Sequence, residues 1–366
     1  MKIVYALPAY TVSPVGGYHV HYEYASRLAR SGHSVTIVFP RIPRGERSVR
    51  ARAASLVWAM RLRRKHNPLI QSYRLDPHVK VRLLHDLSAS SLPSADVLIA
   101  TAWQTAEILA DVPVRCGRKF YIVYDYEHLM TAGPDIAARI EATYRANFSI
   151  VATSTVVDDM VRRCGGRPLA KITCGLDLAS FGVDNPPEQR PRLSVAFPVR
   201  PEAFKGTADA IAAMEQLRHV YGPSLLVSAF GSQRTELPDW VRWIDYPNQT
   251  ALRAIYNGHA VFVVPSHFEG WGLPGIEAMA CGAALVTTDN GGCSDYAINE
   301  VTALVVPPKA QDAIADAVTR LFEDDALRSR LARGGAAFAR RFTWENAAIA
   351  LETLITDQNF AVIKEQ

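Results

Sequence analysis

The sequence predicts an α/β protein made of two doubly wound halves, and three observations support this. Short, near-continuous apolar runs, typical of buried parallel strands, alternate with helix-like segments along most of the chain. The alternation is interrupted at residues 181–192, where three prolines lie among polar residues. The chain has 366 residues, of which 49% are hydrophobic and 21% charged, which suits two globular domains and excludes a disordered chain.

In the first half, six short apolar segments are predicted as strands. The segment between the first two, residues 18–31, is predicted as a helix because Val20, Tyr24 and Leu28 recur four residues apart, and Gly32 can end it. The strands are predicted at residues 2–7, 34–39, 79–84, 97–100, 119–124 and 149–152.

The second half repeats this alternation after the proline-rich interruption. Strands are predicted at residues 193–199, 224–230, 260–264 and 284–287. Helices are predicted at residues 207–221, 250–257, from about 274, 310–323, 326–341 and 344–357. Because doubly wound sheets bind ligands at the carboxyl ends of their strands, functional residues are expected in the loops that follow strands.

Composition excludes several classes of protein. A net charge of +4 is too small to indicate a nucleic-acid partner, although residues 41–65 alone carry nine Arg or Lys against Glu46. Five widely spaced cysteines without a C-x-x-C pair argue against a disulfide framework or a structural zinc site, and indicate a reducing cytoplasm. No run of about 20 apolar residues predicts a membrane span, and the N-terminus resembles a first strand rather than a signal peptide.

Two carboxylates eight residues apart mark the most informative segment, residues 265–282. Glu277 is expected one turn into a helix and Glu269 in the loop before it. The glycines between them would let the backbone approach a ligand, and free N–H groups at the helix start suit a diphosphate. On spacing alone, solvated glutamates and ordinary turn glycines explain the segment equally well.

Two further loops follow predicted strands. Arg200 and Lys205 form a pair of cations that could neutralise phosphates, although ordinary surface charge is the simpler explanation when this loop is taken alone. Gly16 and Gly17 follow the first strand, but the full G-x-G-x-x-G pattern is absent. The sequence contains no D-x-D, H-E-x-x-H or G-x-S-x-G motif, so no metal site or hydrolase elbow is predicted.

Together these segments resemble family 4 of the retaining glycosyltransferases, which have the GT-B fold of two Rossmann-like doubly wound domains facing a central cleft. The resemblance covers nearly the whole chain and is most specific over residues 200–344. It is carried by the Glu269-x7-Glu277 spacing in EGWGLPGIEAMACG, Arg200 with Lys205-Gly206, Gly16-Gly17, DNGGCSDYA at 289–297 and FTWE at 342–345.

The resemblance implies roles for the individual residues. Glu277 would bind the nucleotide ribose, and Glu269 would hold hydroxyls of the transferred sugar and stabilise charge at its anomeric carbon. Arg200 and Lys205 would bind the diphosphate and stabilise it as leaving group. The remaining donor-binding positions would be Gly17, from the other domain, and the backbone groups of Trp271, Gly272 and Leu273.

One position departs from the family pattern. Many members have a histidine just after an N-domain strand, where this chain has Tyr124 or Asp125. His128 is a candidate catalytic residue in its place, and a structural histidine explains it equally well. The D-Y-E sequence there and DNGGCSDYA are similar to bacterial members that assemble rhamnose-containing polysaccharides.

The resemblance therefore predicts a cytoplasmic, metal-independent, retaining glycosyltransferase. It would move a sugar from a nucleotide-sugar donor to a hydroxyl acceptor in cell-surface polysaccharide or glycolipid assembly, without a separate cofactor. Residues 1–180 would form the acceptor domain, 181–192 the linker and 193–349 the donor domain. Residues 350–366 would form a helix that packs back on the acceptor domain.

The basic segment 41–65 lies in the predicted acceptor domain. If it is helical, Leu56, Met60 and Arg63 share one side and form an amphipathic surface with a basic rim. We expect from this a peripheral contact with the anionic inner membrane face, where a lipid-linked acceptor would lie. A solvated charged loop is the alternative.

Other classes predict features that this sequence lacks. A nicotinamide-dependent oxidoreductase should have G-x-G-x-x-G with an acid about 20 residues later. A GT-B sugar-nucleotide epimerase shares the architecture without this arrangement of two glutamates, and a non-catalytic glycan-binding protein should have lost its phosphate-binding pair. The alternatives that stay open are a GT-B sugar-nucleotide epimerase and a glycosyltransferase that acts on a soluble small molecule.

Overall fold

The computed structural model describes residues 1–10, 16–41, 75–125 and 133–357, and its chain divides into two compact units. The first unit contains Met1–Gly175 and Trp344–Gln366, and the second contains Leu176–Thr343.

The first unit is built on a seven-stranded parallel sheet. Its strands are β1 (Lys2–Ala6), β2 (Ser34–Pro40), β3 (Lys80–Leu84), β4 (Val97–Ala100), β5 (Arg118–Val123), β6 (Ser149–Ala152) and β7 (Pro168–Lys171). Its first four described helices are α1 (Gly16–Arg30), α2 (Trp103–Ala110), α3 (Pro134–Arg145) and α4 (Thr155–Arg163). The strand order β3-β2-β1-β4-β5-β6-β7 reverses direction between β1 and β4, which is the switch point of a doubly wound sheet.

The second unit has a six-stranded parallel sheet. Its strands are β8 (Ser194–Pro198), β9 (Leu226–Gly231), β10 (Val241–Asp245), β11 (Val261–Val264), β12 (Ala284–Thr288) and β13 (Ala303–Val306). Its helices are α5 (Thr207–Tyr221), α6 (Gln249–Gly258), α7 (Leu273–Ala280), α8 (Gln311–Glu323) and α9 (Asp325–Ala339). The order β10-β9-β8-β11-β12-β13 again reverses at the first strand, so both units are doubly wound.

Burial explains why the strands could be recognised as near-continuous apolar runs. All residues of β8, β11 and β12 are buried, because helices cover both faces of a parallel sheet. The core of the second unit is formed by strand residues such as Val195, Phe197 and Val263, against helix residues such as Met214 and Leu321. The predicted class, two Rossmann-like parallel-sheet halves, is therefore confirmed.

The last described helix, α10 (Trp344–Thr356), belongs to the first unit. It packs on α1, where Arg27 Nη2 lies 2.9 Å from Glu345 Oε1 and the Trp344 indole meets the Tyr24 ring edge-to-face at 5.7 Å. Of the segment 350–366, which we predicted to pack back on the first domain, residues 358–366 lie outside the described residues.

The division between the units lies earlier than the predicted linker. Residues 176–192 belong to the second unit, where a 3₁₀ turn over Pro187–Gln189 leads to Arg190, whose side chain is only 4% exposed. The prolines therefore shape a turn that is anchored to the second unit, which sequence composition alone does not distinguish from a free linker. Within the described ranges, none of the helices has the length and hydrophobicity needed to cross a bilayer.

Candidate functional site

Lys205 and Glu269, which are 64 positions apart in the chain, meet beyond the carboxyl ends of β8 and β11. Lys205 Nζ donates to Glu269 Oε2 at 2.8 Å, and Ser266 Oγ donates to Glu269 Oε1 at 2.7 Å. The Lys205 side chain is 19% exposed and that of Glu269 is 14% exposed. Both charges are thus shielded on several sides and still accessible to a ligand.

Two further contacts fix the loop of Lys205 against the loop of Glu269. The backbone N–H of His267 donates to the carbonyl of Phe204 at 2.7 Å, and the rings of Phe204 and Phe268 stack at 4.6 Å. His267 Nε2 lies 2.6 Å from Asp209 Oδ2, near the start of α5. Sequence reasoning did not identify His267 or Asp209 as site residues, because nothing in the local pattern pairs two groups 58 positions apart.

Gly206 allows the two loops to approach each other closely. Its φ of +66° lies in the left-handed region, and a Cβ at this position would lie 2.0 Å from the carbonyl oxygen of Pro265. Gly32, which follows α1, also has a positive φ, of +92°, yet a Cβ there would have no neighbour within 4 Å.

We expect Gly206→Ala to lower the free energy of unfolding much more than Gly32→Ala. A left-handed backbone costs an alanine about 1–2 kcal/mol at either position. At Gly206 the loop of Pro265 must also move, so we expect a total loss of about 3 kcal/mol or more in the free energy of unfolding. Chemical denaturation measures both losses, and equal losses would contradict the close packing of the loops.

Arg200 lies just after the end of β8, and both its backbone N–H and its carbonyl are hydrogen-bonded to the Thr207 hydroxyl. Its N–H donates to Thr207 Oγ1 at 3.0 Å, and that hydroxyl donates back to the Arg200 carbonyl at 2.9 Å. The guanidinium donates to the Val199 carbonyl at 2.9 Å and makes no ion pair within the part of the chain that the structure describes. Its positive charge is therefore available to an anionic ligand.

Glu277 lies one turn into α7, as predicted, and its carboxylate is partly buried. Tyr256, on α6, donates its hydroxyl to Glu277 Oε2 at 2.9 Å. Burial raises the pKa of Glu277 to about 7, while the Tyr256 hydroxyl and the charge of Arg200 act in the opposite direction. Glu277 can therefore titrate near neutral pH.

Tyr256 is a site residue that the sequence did not reveal. Its ring is fully buried and lies within about 6 Å of three aromatic rings, those of Phe181, Phe230 and Phe262. Helical periodicity alone suggests a core residue there. Only the packing of α6 beside α7 brings its hydroxyl to Glu277.

The start of α7 presents backbone rather than side chains. Trp271 is 1% exposed and packs edge-to-face on Tyr296 and Phe342. The Tyr296 hydroxyl donates to the Gly272 carbonyl at 2.8 Å, and Gly272 caps the helix without a side-chain hydrogen bond. Trp271, Gly272 and Leu273 thus lie at a helix start whose N–H groups are not capped by a side chain. Their contact with the donor sugar remains a prediction.

In the first unit, Gly17 lies in the first turn of α1. A Cβ on Gly17 would be 3.5 Å from the ring of Tyr124, which follows β5. His128 and residues 42–65 of the basic segment lie outside the described residues, so their predicted roles remain predictions. No cluster of three or more potential metal ligands occurs among the residues that are described.

The two parallel-sheet units together define the GT-B fold, which comparison with solved structures confirms. Sucrose-phosphate synthase from Thermosynechococcus elongatus superposes with a TM-score of 0.74 at 20% identity, covering 98% of this chain and 99% of that one. HepE from Anabaena, solved in complex with UDP-glucose, superposes with a TM-score of 0.73 at 17% identity, covering 97% and 99%.

The sequence of the second unit specifies the class further. Residues 205–338 match the family described as glycosyl transferases group 1. Glycogen synthase of Mycobacterium tuberculosis is 31% identical over 223 residues, which is 56% of this chain and 53% of that protein. The match thus spans about half of this relative. These findings support the predicted resemblance to glycosyltransferases, at the level of a group 1 glycosyltransferase sequence on a GT-B fold. The similarity to members that assemble rhamnose-containing polysaccharides remains a prediction.

Proposed function

We propose that this protein is a retaining glycosyltransferase that uses a nucleotide-sugar donor. The observation that carries the proposal is the contact between Lys205 and Glu269 at the carboxyl ends of two central strands. Arg200 lies on the same loop as Lys205, and Glu277 lies in the helix that follows Glu269. This arrangement offers cations for a diphosphate beside carboxylates for sugar hydroxyls.

The donor would bind across these groups. Lys205 and Arg200 would neutralise the diphosphate, aided by the N–H groups at the start of α7. Glu277 would accept hydrogen bonds from the ribose hydroxyls, and Gly17 would allow the first unit to approach the diphosphate. A diphosphate at Lys205 would compete with Glu269 for the ammonium group, so donor binding would free the Glu269 carboxylate to accept hydrogen bonds from the sugar.

In the proposed transfer, the bond between the anomeric carbon and the diphosphate oxygen breaks. The acceptor hydroxyl oxygen bonds to the same face of that carbon, and its proton passes to the leaving diphosphate oxygen. Glu269 would stabilise positive charge on the sugar, and Lys205 and Arg200 would stabilise negative charge on the leaving group. No protein base is needed in this scheme, and His128 would act by contacting the donor sugar.

A donor-turnover assay tests this proposal. We expect the protein to release nucleoside diphosphate from one of UDP-, GDP-, dTDP- or ADP-sugars, with the anomeric configuration kept in the product. We expect EDTA to leave the rate unchanged, because Lys205 and Arg200 supply the positive charge that a metal ion would otherwise provide. Activity that EDTA abolishes and Mg²⁺ or Mn²⁺ restores would contradict metal independence, and conversion of the donor sugar into its epimer would favour the epimerase alternative.

We further propose that the acceptor is a glycan or lipid-linked molecule at an anionic membrane, contacted through the basic segment 41–65. A basic residue near an anionic surface contributes about 1 kcal/mol. We expect salt-sensitive flotation with phosphatidylserine vesicles that is lost when Arg61, Arg63, Arg64 and Lys65 are replaced by serine, while donor binding persists. Absence of flotation at low salt would favour a soluble small-molecule acceptor.

A further inference from the structure

Arg190 is a buried cation that is paired with carbonyl groups. Its guanidinium donates to the backbone carbonyls of Asn185, Tyr256, His259 and Cys281, and to the side-chain carbonyl of Asn257. In the described part of the chain it forms no ion pair with a carboxylate, although only 4% of the residue is exposed. Burial lowers the pKa of Arg190 to about 10, which reflects the cost of holding this charge inside the protein.

The partners of Arg190 lie in three separate segments of the second unit. The carbonyl of Asn185 lies just before the 3₁₀ turn that leads to Arg190, at 3.0 Å from Nε. The carbonyl of Tyr256, near the end of α6, accepts at 2.9 Å. The carbonyl of Cys281, the residue that caps the end of α7, accepts from Nη2. One guanidinium thus connects the ends of two neighbouring helices.

These two helices carry the hydrogen-bonded residues Tyr256 and Glu277, which we call the Glu277 pair. Tyr256 lies on α6 and donates its hydroxyl to Glu277, and Glu277 lies on α7, four residues before Cys281. Arg190 therefore holds the backbone of Tyr256 and the backbone one turn beyond Glu277. A shift of α6 against α7 would have to break the bonds to Arg190 before it could lengthen the contact between Tyr256 and Glu277.

We propose that Arg190 is a positioning residue that sets the spacing of α6 and α7 and thereby aims the Glu277 carboxylate at the nucleotide ribose. The inference rests on the proposed function, because it takes Glu277 to be the ribose-binding group. Arg190 itself lies behind the site and acts through Tyr256.

The environment of Glu277 provides a readout specific to this role. Tyr256 and Arg200 both act to lower the pKa of Glu277, and the charge of Glu277 in turn raises the pKa of Cys281 and Tyr296. The Tyr256 hydroxyl is the group that hydrogen-bonds to Glu277. Loosening that hydrogen bond removes an influence that lowers the pKa of Glu277, so a larger fraction of the carboxyl would be protonated at neutral pH. Nucleotide affinity should fall as the pH is lowered, and we call this part of the pH profile the acid limb. Loosening the hydrogen bond should move the acid limb to higher pH.

The experiment measures nucleoside diphosphate affinity by calorimetry between pH 6 and pH 8.5, using the one among UDP, GDP, dTDP and ADP that the wild type binds most tightly. The variant is Arg190→Lys, which keeps the charge and loses the fork of donors. Arg328→Lys is the matched control, because Arg328 is 5% exposed and its hydrogen bond and ion pair go to the Leu321 carbonyl and to Asp325, which lie outside α6 and α7. Both variants should lower thermal stability.

We expect Arg190→Lys to weaken nucleotide binding at pH 7.5 by about fivefold, the worth of one hydrogen bond of about 1 kcal/mol, and to move the acid limb to higher pH. Arg328→Lys should leave both unchanged. In a Tyr256→Phe background, Arg190→Lys should have no further effect on the acid limb, because the hydroxyl through which it acts is gone.

Three results would overturn the inference. Arg190→Lys could bind nucleotide with wild-type affinity and pH dependence, or could act equally with and without the Tyr256 hydroxyl. If Arg190→Lys does not fold, Arg190→Met replaces it, and failure of both to fold would show that Arg190 maintains the whole unit rather than the Glu277 pair. A wild type that binds none of the four diphosphates would instead refute the proposed function, and this inference with it.

Discussion

Replacing Glu269 by alanine is expected to lower sugar transfer or donor hydrolysis by about 10²–10³-fold, while nucleoside diphosphate affinity stays the same or rises. Glu269 Oε2 accepts from Lys205 Nζ at 2.8 Å, so the carboxylate would compete with a diphosphate for that ammonium group. Its removal frees Lys205 for the nucleotide. Turnover falls because the charge of Glu269 matters most when the sugar becomes cationic.

Steady-state kinetics give the change in turnover, and calorimetry with the nucleoside diphosphate gives the change in affinity. Glu202→Ala is the matched control, because Glu202 is exposed on the loop of Lys205 and precedes the 3₁₀ turn over Ala203–Lys205. Its removal should change neither quantity. Full activity of Glu269→Ala, or a loss of affinity as large as the loss of turnover, would contradict the role given to Glu269.

For the wild type, nucleotide affinity is expected to fall as the pH is lowered from 8 to 6, and to fall less steeply in Glu277→Gln. Burial raises the pKa of Glu277 to about 7, so over this range the carboxylate gains a proton and loses much of its capacity to accept hydrogen bonds from the ribose. At pH 8 we expect Glu277→Gln to bind about tenfold more weakly, since a hydrogen bond to a charged group is worth about 1.5–3 kcal/mol.

Calorimetry across this pH range with one nucleoside diphosphate separates the titration of Glu277 from that of the ligand, because the ligand titrates identically with both proteins. Parallel pH profiles for the wild type and Glu277→Gln would contradict the assignment.

Glu277 is also expected to make the stability of the protein depend on pH. Between the usual pKa of a glutamate and about 7, Glu277 holds a proton in the native state that it has released in the unfolded state. The contribution of Glu277 to stability is therefore lost as the pH rises through this range, and Glu277→Gln should be less sensitive there.

The sequence predicted those features of the fold that depend on burial. Strands such as β8 and β12 are buried along their whole length. They therefore appear in the sequence as short apolar runs, and their positions could be predicted. The edge strand β10 was missed, because only the first of its residues, Val241, is buried and its sequence VRWID mixes charged and apolar residues. Composition also placed the division between the units too late, since the segment containing Arg190 looks like a linker.

Within the candidate site, sequence reasoning singled out the charged residues and missed the groups that hold them. Glu269 and Glu277 were singled out by their spacing together with the resemblance to family 4 glycosyltransferases, because spacing alone fits solvated glutamates equally well. Tyr256 and Asp209 were missed because each acts through a contact made by tertiary packing, with Glu277 and His267 respectively. Arg190 was missed for the same reason, since its partners come from three segments.

The central claim is that Lys205 and its neighbours bind the diphosphate of a nucleotide-sugar donor. The measurement that tests it most directly is thermal unfolding of the wild type and Lys205→Ala with UDP-, GDP-, dTDP- and ADP-sugars. A ligand at 100 times its dissociation constant adds about 2.7 kcal/mol to the stability of the protein that binds it. We predict that at least one donor stabilises the wild type and that this stabilisation is largely lost in Lys205→Ala. Stabilisation of neither protein, or of both equally, would contradict the claim.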